Sequence, residues 1–167
     1  MTTRPMIVAH RGLAGYAPEN TWAAYMAALA LRLGIEVDLT PTRDGRIVML
    51  HDDRLERTTS GQGPVAEHTA EEIGRLDAGS WFHAAYAGQR VPTLEETLAL
   101  VRQVGAPSTL VALDLKRTPP ELLARIVDAV QAHRLTERVV AIGVTISSGE
   151  VRRQLKGLAP ALPTARL

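Results

Sequence analysis

Short apolar runs alternate with longer amphipathic stretches along this chain, and that alternation dictates most of its elements. Residues 6–9 are Met, Ile, Val and Ala, an unbroken apolar run of the kind a buried strand shows. Asn20 or Thr21 then stands where a helix cap is needed. Trp22, Met26, Leu29 and Leu33 recur at helical spacing, which predicts a helix to about residue 33. Gly34 interrupts it, and residues 35–39 predict a strand. Asp44-Gly45 between apolar runs predicts a two-residue hairpin turn into a returning strand over residues 46–50. Residues 52–92 are polar and without period, apart from one short helix after Thr69, where Thr69 and Glu72 fit a capping box. Thr93 and Glu96 fit a second box, opening a helix to about residue 104. A strand over 109–115 follows, then a helix from Thr118 to about residue 133, with Pro at its first position and Glu121 at its third. Residues 138–144 predict a strand, Ser147 with Glu150 opens another helix, and residues 163–167 begin one more strand.

Strands alternating with helices argue for an α/β protein built on a parallel sheet covered by helices. An open doubly wound sheet and a closed barrel both satisfy that pattern. No Gly-x-Gly-x-x-Gly follows the first strand, so the usual dinucleotide signature is missing. Polar residues sit instead at several strand ends: His10 and Arg11, Glu36 and Asp38, Asp114 and Lys116. Catalytic groups drawn from the ends of several strands are the habit of the (β/α)8 TIM-type barrel. A full barrel takes about 250 residues. The expectation is therefore a single, partial barrel domain over residues 1–167, cut short after about five parallel strands.

Composition narrows the chemistry. Apolar residues make up 46% of the chain and charged residues 22%, which suits a folded domain with a sizeable core. Nineteen basic and 18 acidic residues leave a net charge of +1, too even a balance to hold nucleic acid or a membrane surface. The absence of cysteine excludes disulfides, thiolate metal sites and a cysteine nucleophile. No apolar run reaches the length of a secretory signal or a bilayer span; residues 23–31 stop at Arg32. A cytoplasmic protein with no stable membrane insertion is the expectation.

The candidate chemistry centres on carboxylates. Glu36 and Asp38 stand two apart on a predicted strand, so they share a face. With a two-residue turn at Asp44-Gly45, Asp38 would lie opposite His51, bringing an imidazole to the same face. Asp114 could arrive from a neighbouring strand. Three carboxylates held together call for a compensating cation, and hard oxygen donors favour Mg²⁺ or Ca²⁺ over zinc. Taken singly, each residue has an ordinary reading: Glu36 and Asp38 on a solvated hairpin, His10 as a buried core histidine, Arg11 and Lys116 in plain ion pairs. A strand covered on both sides, however, needs a reason to carry charge. Arg11 can grip phosphate oxygens with its fork, and Lys116 can neutralise charge growing on a phosphoryl group.

Several motifs occur in one order: His10-Arg11-Gly12, Pro18-Glu19-Asn20-Thr21, Glu36-Val37-Asp38, Thr42-Arg43-Asp44-Gly45, His51-Asp52, Leu55, Arg57-Thr58-Thr59, Gly63, residues 76–82, residues 92–96 and Leu113-Asp114-Leu115-Lys116. This set resembles the glycerophosphodiester phosphodiesterase family from residue 7 onward, more weakly after Lys116. The resemblance implies a barrel with a small insertion at about residues 53–91, and hydrolysis of small-molecule glycerophosphodiesters to glycerol phosphate and an alcohol. It implies His10 and His51 as general acid and base. It implies Glu36, Asp38 and Asp114 as ligands of a divalent cation, Mg²⁺ or Ca²⁺, with Arg11 and Lys116 on the phosphate. A glycerol hydroxyl of the substrate, attacking first, would route the reaction through a cyclic phosphate. The chain departs from the family pattern in three places. Asp114 stands where Glu is usual, Gly143-Val144 stands where Ser-Phe is usual, and no closing strands follow residue 167. The same features admit a related barrel phosphodiesterase of phospholipase C or D type, or a non-catalytic binding module.

Overall fold

The computed structural model describes residues 6–116 and 119–165. Its strands and helices alternate in chain order: β1 (Val8–Ala9), α1 (Trp22–Ala30), β2 (Gly34–Pro41), β3 (Ile47–Met49), α2 (Ala70–Ile73), α3 (Leu94–Val104), β4 (Val111–Asp114), α4 (Leu123–Ala132), β5 (Val139–Ile142) and α5 (Gly149–Leu158). Strands β1, β2, β4 and β5 are parallel neighbours in that order, with β3 antiparallel to β2. A parallel bridge from Ala141 to Thr164 starts a fifth parallel rung beside β5; residues 166–167 of the predicted last strand lie outside the described residues. Strand order that advances in one direction decides between the two closures. A doubly wound sheet reverses its order at a switch point, whereas a barrel wall does not. The fold is the TIM-type barrel wall, with α1, α3 and α4 packed along one side of it.

Period-two alternation sorts the side chains across that wall. Ile35, Val37, Leu39, Val111, Leu113, Val139 and Ala141 join one apolar core with α1, α3 and α4. Glu36, Asp38 and Asp114 occupy the alternate positions, on the opposite face of the sheet, and are buried all the same.

Both expected capping boxes form, at Thr69 with Glu72 and at Thr93 with Glu96, so α2 and α3 begin where their sequence signals stand. The cap expected at Thr118 lies outside the described residues; after it comes a 3₁₀ turn at Pro120–Leu122 that runs into α4. Helix α5 begins one residue later than expected. Ser148, not Ser147, accepts from the Val151 amide, because Ser147 closes a 3₁₀ turn over Val144–Ser147.

Two expectations fail in ways that matter for the site. Helix α1 does not bury the stripe at Trp22 and Met26, which are 45% and 44% exposed; it buries Ala24, Tyr25, Ala28 and Leu29. The loop after β1 sets that rotation. Gly12 lies so close to the helix that a Cβ there would meet the Ala24 carbonyl carbon at 2.7 Å, which fixes Ala24 on the inward side of α1. The hairpin is also out by one. Thr42 and Arg46 close a three-residue loop in which Gly45 takes a left-handed φ of +70°, and the ladder pairs Leu39 with Met49. A type I turn followed by a left-handed glycine makes this bulged loop. Leu50 therefore falls across from Asp38, and His51 sits beyond the strand in a bend.

Residues between β3 and α3 are irregular, as their pattern suggests, but not without a core. Leu55, Val65, Ala70, Ile73, Ala78 and Val91 gather with Val48 and Leu50 into a second apolar cluster of their own.

Candidate active site

Parallel register sets Asp38 of β2 beside Asp114 of β4. With Glu36, they place one carboxylate oxygen each within 4.8 Å of one another, and all three residues are buried. Lys116 answers part of that charge: its Nζ donates to Asp38 Oδ1 at 2.8 Å and lies 3.2 Å from Asp114 Oδ2. Arg11 answers another part. It takes a left-handed φ of +55°, donates its backbone N–H to Glu36 Oε2 at 2.8 Å, and sets Nε 3.2 Å from Asp38 Oδ2 and Nη1 3.0 Å from Glu19 Oε1.

Three carboxylates against these two cations leave one negative charge in excess. Burial, then the neighbouring Asp38, pushes Glu36 up from 4.5 to about 7, against the pull of the Arg11 amide. Asp114 Oδ1 is buried and has no hydrogen-bond partner. It points at Gly143, whose φ is +101° and where a Cβ would overlap that oxygen. The absence of a side chain at Gly143 thus leaves room for the Asp114 carboxylate. An excess buried charge, an orphaned carboxylate oxygen and an all-oxygen donor set fit a hard divalent cation.

His10 does not behave as a core histidine. Its side chain is 69% exposed and its Nε2 lies 3.9 Å from Glu36 Oε2. What burial it has, and then the Arg11 charge, lower its pKa from 6.5. His51 is not brought against Glu36 or Asp38 by any hydrogen bond or ion pair among the described residues. Its Nδ1 meets Asp52 Oδ1 at 2.7 Å instead. Asp52 is gripped by Arg57, whose hydrogen bonds chiefly hold the Asp52 carboxyl well below the usual range. Burial would raise Glu19, but the hydrogen bonds and charge of Arg57, with those of Arg11, hold it below its usual value.

Five residues of this arrangement received no role in the site from sequence reasoning: Glu19, Asn20, Tyr25, Asp52 and Arg57. Asn20 Nδ2 donates to Asp38 Oδ2 at 2.9 Å, and the fully buried Tyr25 hydroxyl donates to Asn20 Oδ1 at 2.9 Å. The available signal was the Asn beside a Thr cap, since Asn tolerates the left-handed conformation that residue 20 adopts, with φ +54°.

A family model described as the glycerophosphoryl diester phosphodiesterase family matches residues 10–153. The chain belongs to this family. The glycerophosphodiester phosphodiesterase of Bacillus subtilis (strain 168) is 37% identical over 176 residues, covering 98% of this chain and 59% of that protein. The crystal structure of the glycerophosphodiester phosphodiesterase from Agrobacterium tumefaciens str. C58 superposes with a TM-score of 0.83 at 34% identity, covering 96% of this chain and 66% of that one. An Oleispira antarctica phosphodiesterase, solved in complex with the product sn-glycerol-3-phosphate, superposes with a TM-score of 0.75 at 30% identity, covering 97% of this chain and 64% of that one. The chain thus spans under two thirds of the length of these phosphodiesterases. No helix among the described residues is long and apolar enough to cross a membrane.

Proposed function

We propose that this chain carries the reacting groups of a glycerophosphodiester phosphodiesterase, hydrolysing a small glycerophosphodiester to glycerol phosphate and an alcohol. The observation that carries the reading is the buried acidic triad at neighbouring strand ends, bracketed by Arg11 and Lys116. Glu36, Asp38 and Asp114 would hold the divalent cation, Mg²⁺ or Ca²⁺. When bound, it supplies charge stabilisation for the phosphoryl oxygens and orients the substrate. Arg11, held from both sides by Asp38 and Glu19, presents its guanidinium to the phosphate. Lys116 is partly exposed and already faces the carboxylates, so its ammonium can meet a phosphate oxygen from the same place.

His10 and His51 divide the proton transfers. An acidic neighbour at Nδ1 selects the tautomer of His51 that donates to Asp52, leaving Nε2 with a free lone pair. That suits a general base taking the proton of an attacking hydroxyl. His10, exposed beside Glu36, suits the acid that returns a proton to the leaving alcohol. Residues 53–91 serve in this reading as an insertion beside the mouth, and Arg57 is its link to the acid–base residues.

The test is release of choline from glycerophosphocholine with Mg²⁺ or Ca²⁺, with EDTA, and in His10→Ala and His51→Ala. Turnover is expected to require the cation and to fall at least ~100-fold in either variant. Turnover that survives both substitutions would sink the two-histidine assignment.

A further inference from the structure

We propose that Arg57 is a positioning residue, a clamp that holds the His51 base and the Arg11 phosphate grip in register through the two carboxylates Glu19 and Asp52. The proposal rests on the roles given above to His51 and Arg11. Arg57 Nε donates to Asp52 Oδ2 at 2.6 Å and Nη2 to Asp52 Oδ1 at 3.0 Å. On its other side Nη1 donates to Glu19 Oε2 at 3.0 Å and Nη2 to Glu19 Oε1 at 2.8 Å. One planar guanidinium thereby spans two carboxylates, each gripped at both oxygens. Each carboxylate carries a second partner: Glu19 Oε1 accepts from Arg11, and Asp52 Oδ1 meets His51 Nδ1. Opposite charges alternate along Asp38, Arg11, Glu19, Arg57 and Asp52, and the run ends on the His51 ring.

The anchor of this run is firm. Leu55 is fully buried in the second apolar cluster, and its carbonyl accepts from both the Thr59 amide and the Thr59 hydroxyl. Arg57 sits inside that turn. The clamp therefore ties the packing of residues 53–91 to the orientation of a ring that has no other hydrogen-bond partner among the described residues. Lysine cannot replace it, since a single ammonium has three donors and no fork to match two carboxylates.

The test compares Arg57→Gln, Arg57→Lys and, as a control, Arg43→Gln, which removes a different exposed ion pair with Glu72. Three quantities are read: kcat and KM for glycerophosphocholine with Mg²⁺, the His51 ring tautomer from ¹⁵N NMR, and the melting temperature. In the parent and in Arg43→Gln, His51 is expected in the Nδ1–H form. In both Arg57 variants the Nε2–H form should grow and kcat should fall ~10- to 100-fold, as it does when groups that orient a ligand or a base are removed. Arg57 variants with the parent's tautomer and kcat would overturn the clamp, whatever their melting temperature, because a purely structural ion pair moves only the last of these readouts. Should Arg57→Gln not fold, Arg57→Lys carries the same comparison. If the parent itself shows no turnover, the reading of the site fails, while the tautomer comparison still decides the clamp.

Discussion

Glu36→Gln should make the metal-free protein more stable above neutrality, although it removes a residue of the candidate metal cluster. Glu36 is buried, its side chain 9% exposed, and its pKa rises from 4.5 to about 7 through burial and then Asp38. The folded-state value lies above the unfolded one, so protonation of Glu36 favours folding. That contribution is whole below pH 4.5 and is lost as pH climbs through about 7. The span from 4.5 to about 7, at ~1.36 kcal/mol per pH unit, amounts to about 3 kcal/mol. Glutamine keeps an oxygen to accept the Arg11 amide, now 2.8 Å from Glu36 Oε2, and so removes the charge alone. Urea or thermal unfolding in EDTA, at pH 4.5 and pH 8, isolates the effect as the difference between variant and parent, because every other titrating group is common to both. The two should match at pH 4.5, and at pH 8 the variant should lead by about 3 kcal/mol, or roughly 6–12 °C in Tm for a domain of this size. Mg²⁺ at about 1,000 times its Kd should reverse the order, since at that excess a cation adds about 4.1 kcal/mol to a protein that binds it. A variant less stable than the parent at pH 8 in EDTA would refute the view that Glu36 is a charge held at a cost for a cation.

Two more substitutions probe the same cluster. Gly143→Ala places a Cβ against Asp114 Oδ1 at a φ of +101°, and should cost ~1–3 kcal/mol in urea unfolding from backbone strain together with weaker Mn²⁺ binding by electron paramagnetic resonance; parent-like values in both would show that Asp114 can turn away freely. Tyr25→Phe removes the shorter of the two donors to Asn20 Oδ1, leaving only the Asp38 N–H at 3.4 Å, at a cost of ~1 kcal/mol, and should loosen Mn²⁺ by up to ~10-fold through Asp38; unchanged affinity would confine Tyr25 to packing.

Much of the wall was legible from the chain. The acidic pair was visible because strand periodicity acts over two residues, and both capping boxes because they act over three. Asp114 could be named as a cluster member but not located, since the register of β4 against β2 depends on a partner far along the chain. His51 was misplaced for a specific reason: the same Asp44-Gly45 pair serves a two-residue turn and a bulged three-residue loop, and the choice shifts every later residue by one. The face of α1 was misjudged because hydrophobicity favours Trp22 and Met26, whereas the close approach of Gly12 to Ala24 turns Ala24 and Tyr25 inward.

The sequence by itself determined what acts locally: where helices start, which strand residues share a face, and a motif set that assigns the chain to its family. Tertiary structure alone decided which helix face turned inward, which residue stood across from Asp38, and which charges met. Arg57 reaches Glu19 across 38 residues and Lys116 reaches Asp38 across 78. The reason is range: capping and periodicity are settled within a few bonds of backbone, whereas register, helix rotation and buried ion pairs are settled by what the folded chain brings within a few ångströms.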